Sequence, residues 1–126
     1  RISNQPGWIM LDLQGTIAEK SLLSGSIGQG NSFPPNQLDY FGPAGLECKL
    51  MDGVFLAASS ETLIKYNLKF DTQFKFHFYD IDFCRSIEKT GLKMGTTDVS
   101  LLHQSYGQLS TEWLESYKLY LKKWGD

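Results

Sequence analysis

The sequence predicts a mixed α/β class, an α+β arrangement in which a mixed sheet carries flanking helices and one long Gly/Pro-rich loop. Three observations predict it. Phe74, Phe76 and Phe78 alternate with Lys75 and His77, which is the period of a strand. Directly afterwards Asp80, Asp82, Arg85, Glu88 and Lys89 fall among Ile81, Cys84 and Ile87 at near-helical spacing, and Gly91 stands where a glycine ends a helix. Near the C-terminus Trp113, Tyr117, Tyr120, Leu121 and Trp124 recur at i, i+4, i+7, i+8 and i+11, one packing face of a helix that Ser110 caps.

The remaining elements follow in order. Residues 8–13 predict a short strand, and 17–23 a second strand or a turn of helix. Over 24–45 the composition shifts to Gly25, Gly28, Gly30, Pro34, Pro35, Gly42, Pro43 and Gly45, the pattern of a long loop. A loop of that length in a compact fold is usually functional or mobile. Residues 47–50 and 53–58 read as strands around an Asp52-Gly53 bend, and Ser59 or Ser60 caps a helix through about residue 66. Residues 93–97 and 100–103 are the last strand candidates.

At 126 residues with 41% apolar side chains, the chain is one domain's worth and is expected to bury roughly two thirds of its unfolded surface. Lys and Arg number 12 against 14 Asp and Glu, for a net charge of −2, and Lys122-Lys123 is the one basic run. That leaves no electrostatic footprint for nucleic acid. Cys48 and Cys84 lie far apart in apolar company, which reads as buried thiols in a reducing cytoplasm. Trp8-Ile9-Met10-Leu11 is broken by Asp12 with no small-residue cleavage site after it, and no apolar run approaches a membrane span, so the chain is expected to be soluble. It begins with Arg1 and not Met, so residues are expected to be missing from its front.

Chemistry is expected at Phe76-His77-Phe78-Tyr79-Asp80-Ile81-Asp82-Phe83-Cys84-Arg85-Ser86, where two acids stand at a strand-to-helix junction. A carboxylate there accepts backbone N–H bonds and feels the positive end of the helix dipole, so Asp80 is expected to stay ionised, as a helix cap, a base or a cation holder. Asp82 is two residues on, about 200° around the helix, so the two acids diverge. They cannot face each other at about 5 to 9.5 Å across a glycosidic bond, which argues against a glycoside hydrolase. Asp82 is expected to support the first turn or to receive Arg85 at i+3. Gly25-Ser26-Ile27-Gly28-Gln29-Gly30 lacks the glycine spacing and the lysine of a phosphate loop, and His77, His103 and Cys84 lack the spacing of a thiol protease.

Met51-Asp52-Gly53-Val54-Phe55-Leu56-Ala57, Phe70-Asp71, Tyr79-Asp80-Ile81-Asp82-Phe83-Cys84, Leu102-His103-Gln104-Ser105-Tyr106-Gly107 and Leu121-Lys122-Lys123-Trp124 carry a resemblance. In this order they resemble the C-terminal half of a GT-A-type, family 2-like glycosyltransferase, over about residues 46–124, with 1–45 only loosely comparable. The resemblance implies a partial GT-A-like sheet and Asp80 as the catalytic base of an inverting sugar transfer. It also implies Asp52, Gly53 and Tyr79 on the acceptor side and His103 as a metal ligand. Tyr79 stands where the family usually has Glu, which leaves the support of the base open. An alcohol is far less acidic than a carboxyl of pKa about 4, so the proton moves late, in concert with attack on the anomeric carbon.

The nucleotide-binding half and its Asp-x-Asp metal motif are absent from the chain, since its one Asp-x-Asp is Asp80-Ile81-Asp82 itself. The complete enzyme would use Mn²⁺ or Mg²⁺ with a nucleotide-sugar and a glycan acceptor. A hard dication wants about six ligands, mostly oxygen, so no tight metal binding is expected of this chain alone. The alternative from a different class is a stand-alone carbohydrate-binding or oligomerising module that keeps the packing of the fold. Exposed sheet edges make a homo-oligomer the expectation under either reading.

Overall fold

The computed structural model describes residues 23–104 and 110–125. The expected strand over 8–13, all of 17–23 except Leu23, and Ser105-Tyr106-Gly107 lie outside them. The architecture is of the mixed α/β class. Strand β1 (Gly25–Gln29) is the middle of a three-stranded mixed sheet, antiparallel to β2 (Gln37–Gly42) and parallel to β5 (Leu102–His103). A second ladder joins β3 (Glu47–Cys48) to β4 (Met94–Gly95). The described residues also form helices α1 (Ser60–Lys65), α2 (Tyr79–Lys89) and α3 (Thr111–Trp124).

The Gly/Pro-rich stretch is the first departure from expectation, because it contains the hairpin β1–β2 within what reads as loop. Its glycine at position 28 serves close packing. A Cβ on Gly28 would lie 2.8 Å from Pro35 Cβ and 3.2 Å from the Leu101 carbonyl, so only a bare backbone fits between that proline and the parallel neighbour. The Asn36 N–H donates to the Gln29 carbonyl at 2.8 Å and closes the connection between the two strands.

Two expected strands are absent. Phe74, Phe76 and Phe78 precede α2 as turns and bends: Phe74 and Phe78 are buried, while Phe76 is 73% exposed. Phe78 is the N-cap of α2 with φ 66, a left-handed conformation rare for an aromatic residue, and it is held there by packing. Its ring lies 4.9 Å from Trp113, 5.7 Å from Tyr117 and 5.5 Å from Tyr120. Residues 53–58 form no ladder either, because side chains from α2 occupy the backbone of Gly53.

The helical expectations hold. Ser59 caps α1 by accepting the Thr62 N–H, and Ser110 caps α3 by accepting the Trp113 N–H at 3.3 Å. Gly91, with φ 76, follows the end of α2 and donates to the Glu88 carbonyl. The stripe on α3 packs as expected: Tyr120 joins Phe74 and Phe78 in the core, with Trp113, Tyr117, Leu121 and Trp124 against it. Cys48 and Cys84 are both free and buried.

Candidate functional site

The start of α2 grips the segment at Met51, Asp52 and Gly53. Asp80 and Cys84 are one helical turn apart and so share a face. From that face the Asp80 Oδ2 accepts the Gly53 N–H at 2.8 Å, and the Cys84 Sγ accepts the Met51 N–H at 3.3 Å. Tyr79 completes the clamp, its hydroxyl donating to the Gly53 carbonyl at 3.1 Å. Three of the four expected acceptor-side and base residues, Gly53, Tyr79 and Asp80, are thereby joined, with Asp52 beside them and exposed. The part played by Cys84 escapes sequence reasoning, where a cysteine among apolar residues reads only as filler.

Asp80 is half-buried and sits in the first turn, with Phe78 and not itself at the cap position. Its Oδ1 accepts the Ile81 N–H at 2.8 Å. Burial pushes its carboxyl above the ordinary aspartate value, the Asp52 charge adds to that, and the two backbone N–H bonds only partly offset it. An upward shift makes the carboxylate a stronger base. Each of its oxygens accepts one backbone bond and retains capacity for a second acceptor contact. Burial, and then the charges of Asp80 and Asp52, likewise raise the Tyr79 phenol. The Cys84 thiol is pushed up to about 11, chiefly by burial, so it packs and bonds without acting as a nucleophile.

Asp82 does not receive Arg85, which pairs instead with Glu88 at 3.1 Å. It points into the interface between α2 and α3, only 1% exposed. There its Oδ1 accepts from the Trp124 indole at 2.8 Å and from the Lys123 ammonium at 2.6 Å. Lys123 also reaches Asp71 Oδ2 at 2.8 Å. The divergence of Asp80 from Asp82 therefore holds: one acid serves the 51–53 segment, the other ties α3 down.

His103 stands elsewhere, in β5 opposite Gln29, its carbonyl accepting the Gly30 N–H at 3.2 Å. Among the described residues no hydrogen bond or ion pair joins it to the Asp80 group, and no three His, Cys, Asp or Glu side chains come together in a way that would hold a metal ion. The described residues thus do not fit a dication site.

The Asp71–Lys123 contact sets an acid limb of stability. Lys123 and the Gln73 N–H hold the Asp71 carboxyl down to about 2, against about 3.9 in an unfolded chain. Its contribution is complete above about pH 4 and is lost as pH falls through about 2. Asp80 works in the opposite sense, because its raised folded value makes protonation favour the folded state as pH drops. Urea midpoints measured between pH 5 and 2 should therefore fall, and Asp71→Asn should flatten that fall while Asp80→Asn should not.

Fold and site together define a mixed α/β structure with a backbone-anchored, half-buried carboxylate beside an exposed one. No protein-family model matches the chain, nor does any curated protein or solved structure. Among the described residues no helix is long and apolar enough to cross a membrane.

Proposed function

We propose that this chain is the acceptor-side, base-bearing part of an inverting, nucleotide-sugar-dependent glycosyltransferase, inactive without a nucleotide-binding half. The observation that carries the reading is Asp80, held by the Gly53 and Ile81 N–H groups, mostly buried yet not sealed from solvent, with its pKa raised. In the reaction an acceptor hydroxyl gives its proton to Asp80 as its oxygen attacks the anomeric carbon. The bond to the nucleoside diphosphate breaks on the opposite face and the diphosphate leaves with the electron pair, so the centre inverts. Asp52 accepts a hydrogen bond from a second acceptor hydroxyl, and Tyr79 and Gly53 fix the wall. Mn²⁺ or Mg²⁺ and the residues that bind it belong to the nucleotide-binding half. The two free thiols accord with a reducing, cytoplasmic location.

A second reading has one observation in its favour. Among the described residues strand β2 is a sheet edge, and it carries Leu38 at 62% and Tyr40 at 69% exposure, as a glycan-binding or self-associating module would. Saturation-transfer NMR of the chain with UDP-glucose, GDP-mannose, lactose and cellobiose separates the two. A disaccharide signal is expected that weakens in Asp52→Ala and is unchanged in Tyr40→Ser, and no nucleotide-sugar signal, since the chain lacks the half that binds it. A disaccharide signal that weakens in Tyr40→Ser and is unchanged in Asp52→Ala assigns the chain to the second reading, and no disaccharide signal overturns both.

A further inference from the structure

Beside the Asp80 group lies an aromatic side chain for which that group has no use so far. Phe70 is 49% exposed. Its ring centroid lies 4.5 Å from that of Phe83 at an interplanar angle of 35°, and 5.7 Å from Tyr79 at 67°. Phe83 is buried in α2, and Tyr79 is tied through its hydroxyl to Gly53. The ring is therefore braced by one core residue and by one member of the site. Among the described residues none of the other exposed aromatics, Phe33, Tyr40, Phe55, Tyr66 and Phe76, is braced by two rings in this way, and Phe76 meets the ring of His77 alone.

A braced ring that leaves half its surface to solvent is an immobile platform, so little further ordering cost falls on a ligand that covers it. The face of an aromatic ring is electron-rich. It suits a flat ligand surface of weakly positive C–H bonds, and the carboxylates of Asp80 and Asp52, whose charges act on the Tyr79 that braces the ring, suit hydroxyl donors. A pyranose presents both in one molecule: axial C–H bonds on one face and hydroxyls around its rim.

We infer that Phe70 is the stacking platform for the acceptor, and that the acceptor unit is a pyranose with an apolar C–H face laid on Phe70 and rim hydroxyls turned to Asp52 and Asp80. The inference rests on the glycosyl-transfer reading and specifies the substrate class for its acceptor side. A lipid chain could cover the ring but has no rim hydroxyls for the two carboxylates, and a serine hydroxyl has no face to lay on the ring.

The test compares Phe70→Leu, which keeps apolar cover over Phe83 but has no ring face, with Phe70→Trp, which enlarges the face. Lactose and cellobiose are titrated against each by saturation-transfer NMR, with near-UV circular dichroism checking that Phe83 and Tyr79 remain packed. Affinity should fall about tenfold in Phe70→Leu and stay within about threefold in Phe70→Trp, with the strongest transfer to the axial C–H protons of the sugar. A disaccharide that binds the wild type and Phe70→Leu equally would overturn the platform and leave the transferase reading standing. A wild type that binds neither disaccharide would remove both.

Discussion

Lys123→Met should destabilise the fold by about 3 kcal/mol, measured as the free energy of urea unfolding at pH 7. The substitution keeps an unbranched apolar stem against the Phe74 and Trp124 rings, over which the ammonium now lies at 5.6 and 5.3 Å. What it removes is the cation beside Asp82, whose side chain is 1% exposed. The carboxylate would then keep one neutral donor, the Trp124 indole, on Oδ1, while its Oδ2 already has no partner. Breaking a fully buried pair costs about 3 to 5 kcal/mol, and the 30% exposure of the Lys123 side chain points to the lower end. Asp82→Asn in the Lys123→Met background should recover more than half of the loss, because an amide needs no counter-charge and its oxygen still accepts from Trp124. Asp71→Asn should cost far less than Lys123→Met, since Asp71 meets solvent and Lys123 keeps Asp82. A Lys123→Met penalty under about 1 kcal/mol would place the contact among ordinary surface ion pairs.

That contact also shows where the sequence stops being informative. Features decided within a few residues were legible: the Ser59 and Ser110 caps, the Gly91 stop, helix α2 and the stripe that sends Trp113, Tyr117, Tyr120 and Trp124 to one side. Each depends on local hydrogen bonding or helical period. The partner of Asp82 was not legible, because Arg85 is near in sequence while Lys123 arrives only once α3 has docked. Strands fared the same way. Residues 25–29 read as loop because Gly25 and Gly28 have weak strand preference, and only pairing with residues 37–42 and 102–103 makes them a strand. Phe74, Phe76 and Phe78 read as a strand because their alternation is real, yet burial of Phe74 and Phe78 against α3 leaves Phe76 outside without any ladder. At the site, the nearness of Asp52-Gly53 to Tyr79-Asp80 rested on resemblance alone, and the bonds at Gly53 now supply its physical cause.

Gly53→Ala should be nearly as damaging, at about 2 to 4 kcal/mol, combining overpacking with a lost hydrogen bond. Gly53 is not among the glycines held at positive φ, so the requirement is for space. A Cβ there would lie 2.7 Å from Tyr79 Cζ, closer still to the phenol oxygen, and 3.1 Å from Asp80 Cβ. None of these neighbours can swing away cheaply. The Tyr79 hydroxyl is bound to the Gly53 carbonyl, its ring meets Phe70 edge-on, and Asp80 Cβ is fixed to the first turn of α2. The added methyl therefore lifts the 51–53 segment off the helix and parts the Gly53 N–H from Asp80. Both the stability of the segment and the aim of the candidate base depend on that bond. Tyr79→Leu alone should also destabilise, but combined with Gly53→Ala it should cost at least about 1 kcal/mol less than the sum of the single changes, since the shorter side chain makes room for the methyl. Strictly additive penalties in that cycle would mean that the segment yields elsewhere, and that the contact between Gly53 and Tyr79 is not what holds Asp80 in position.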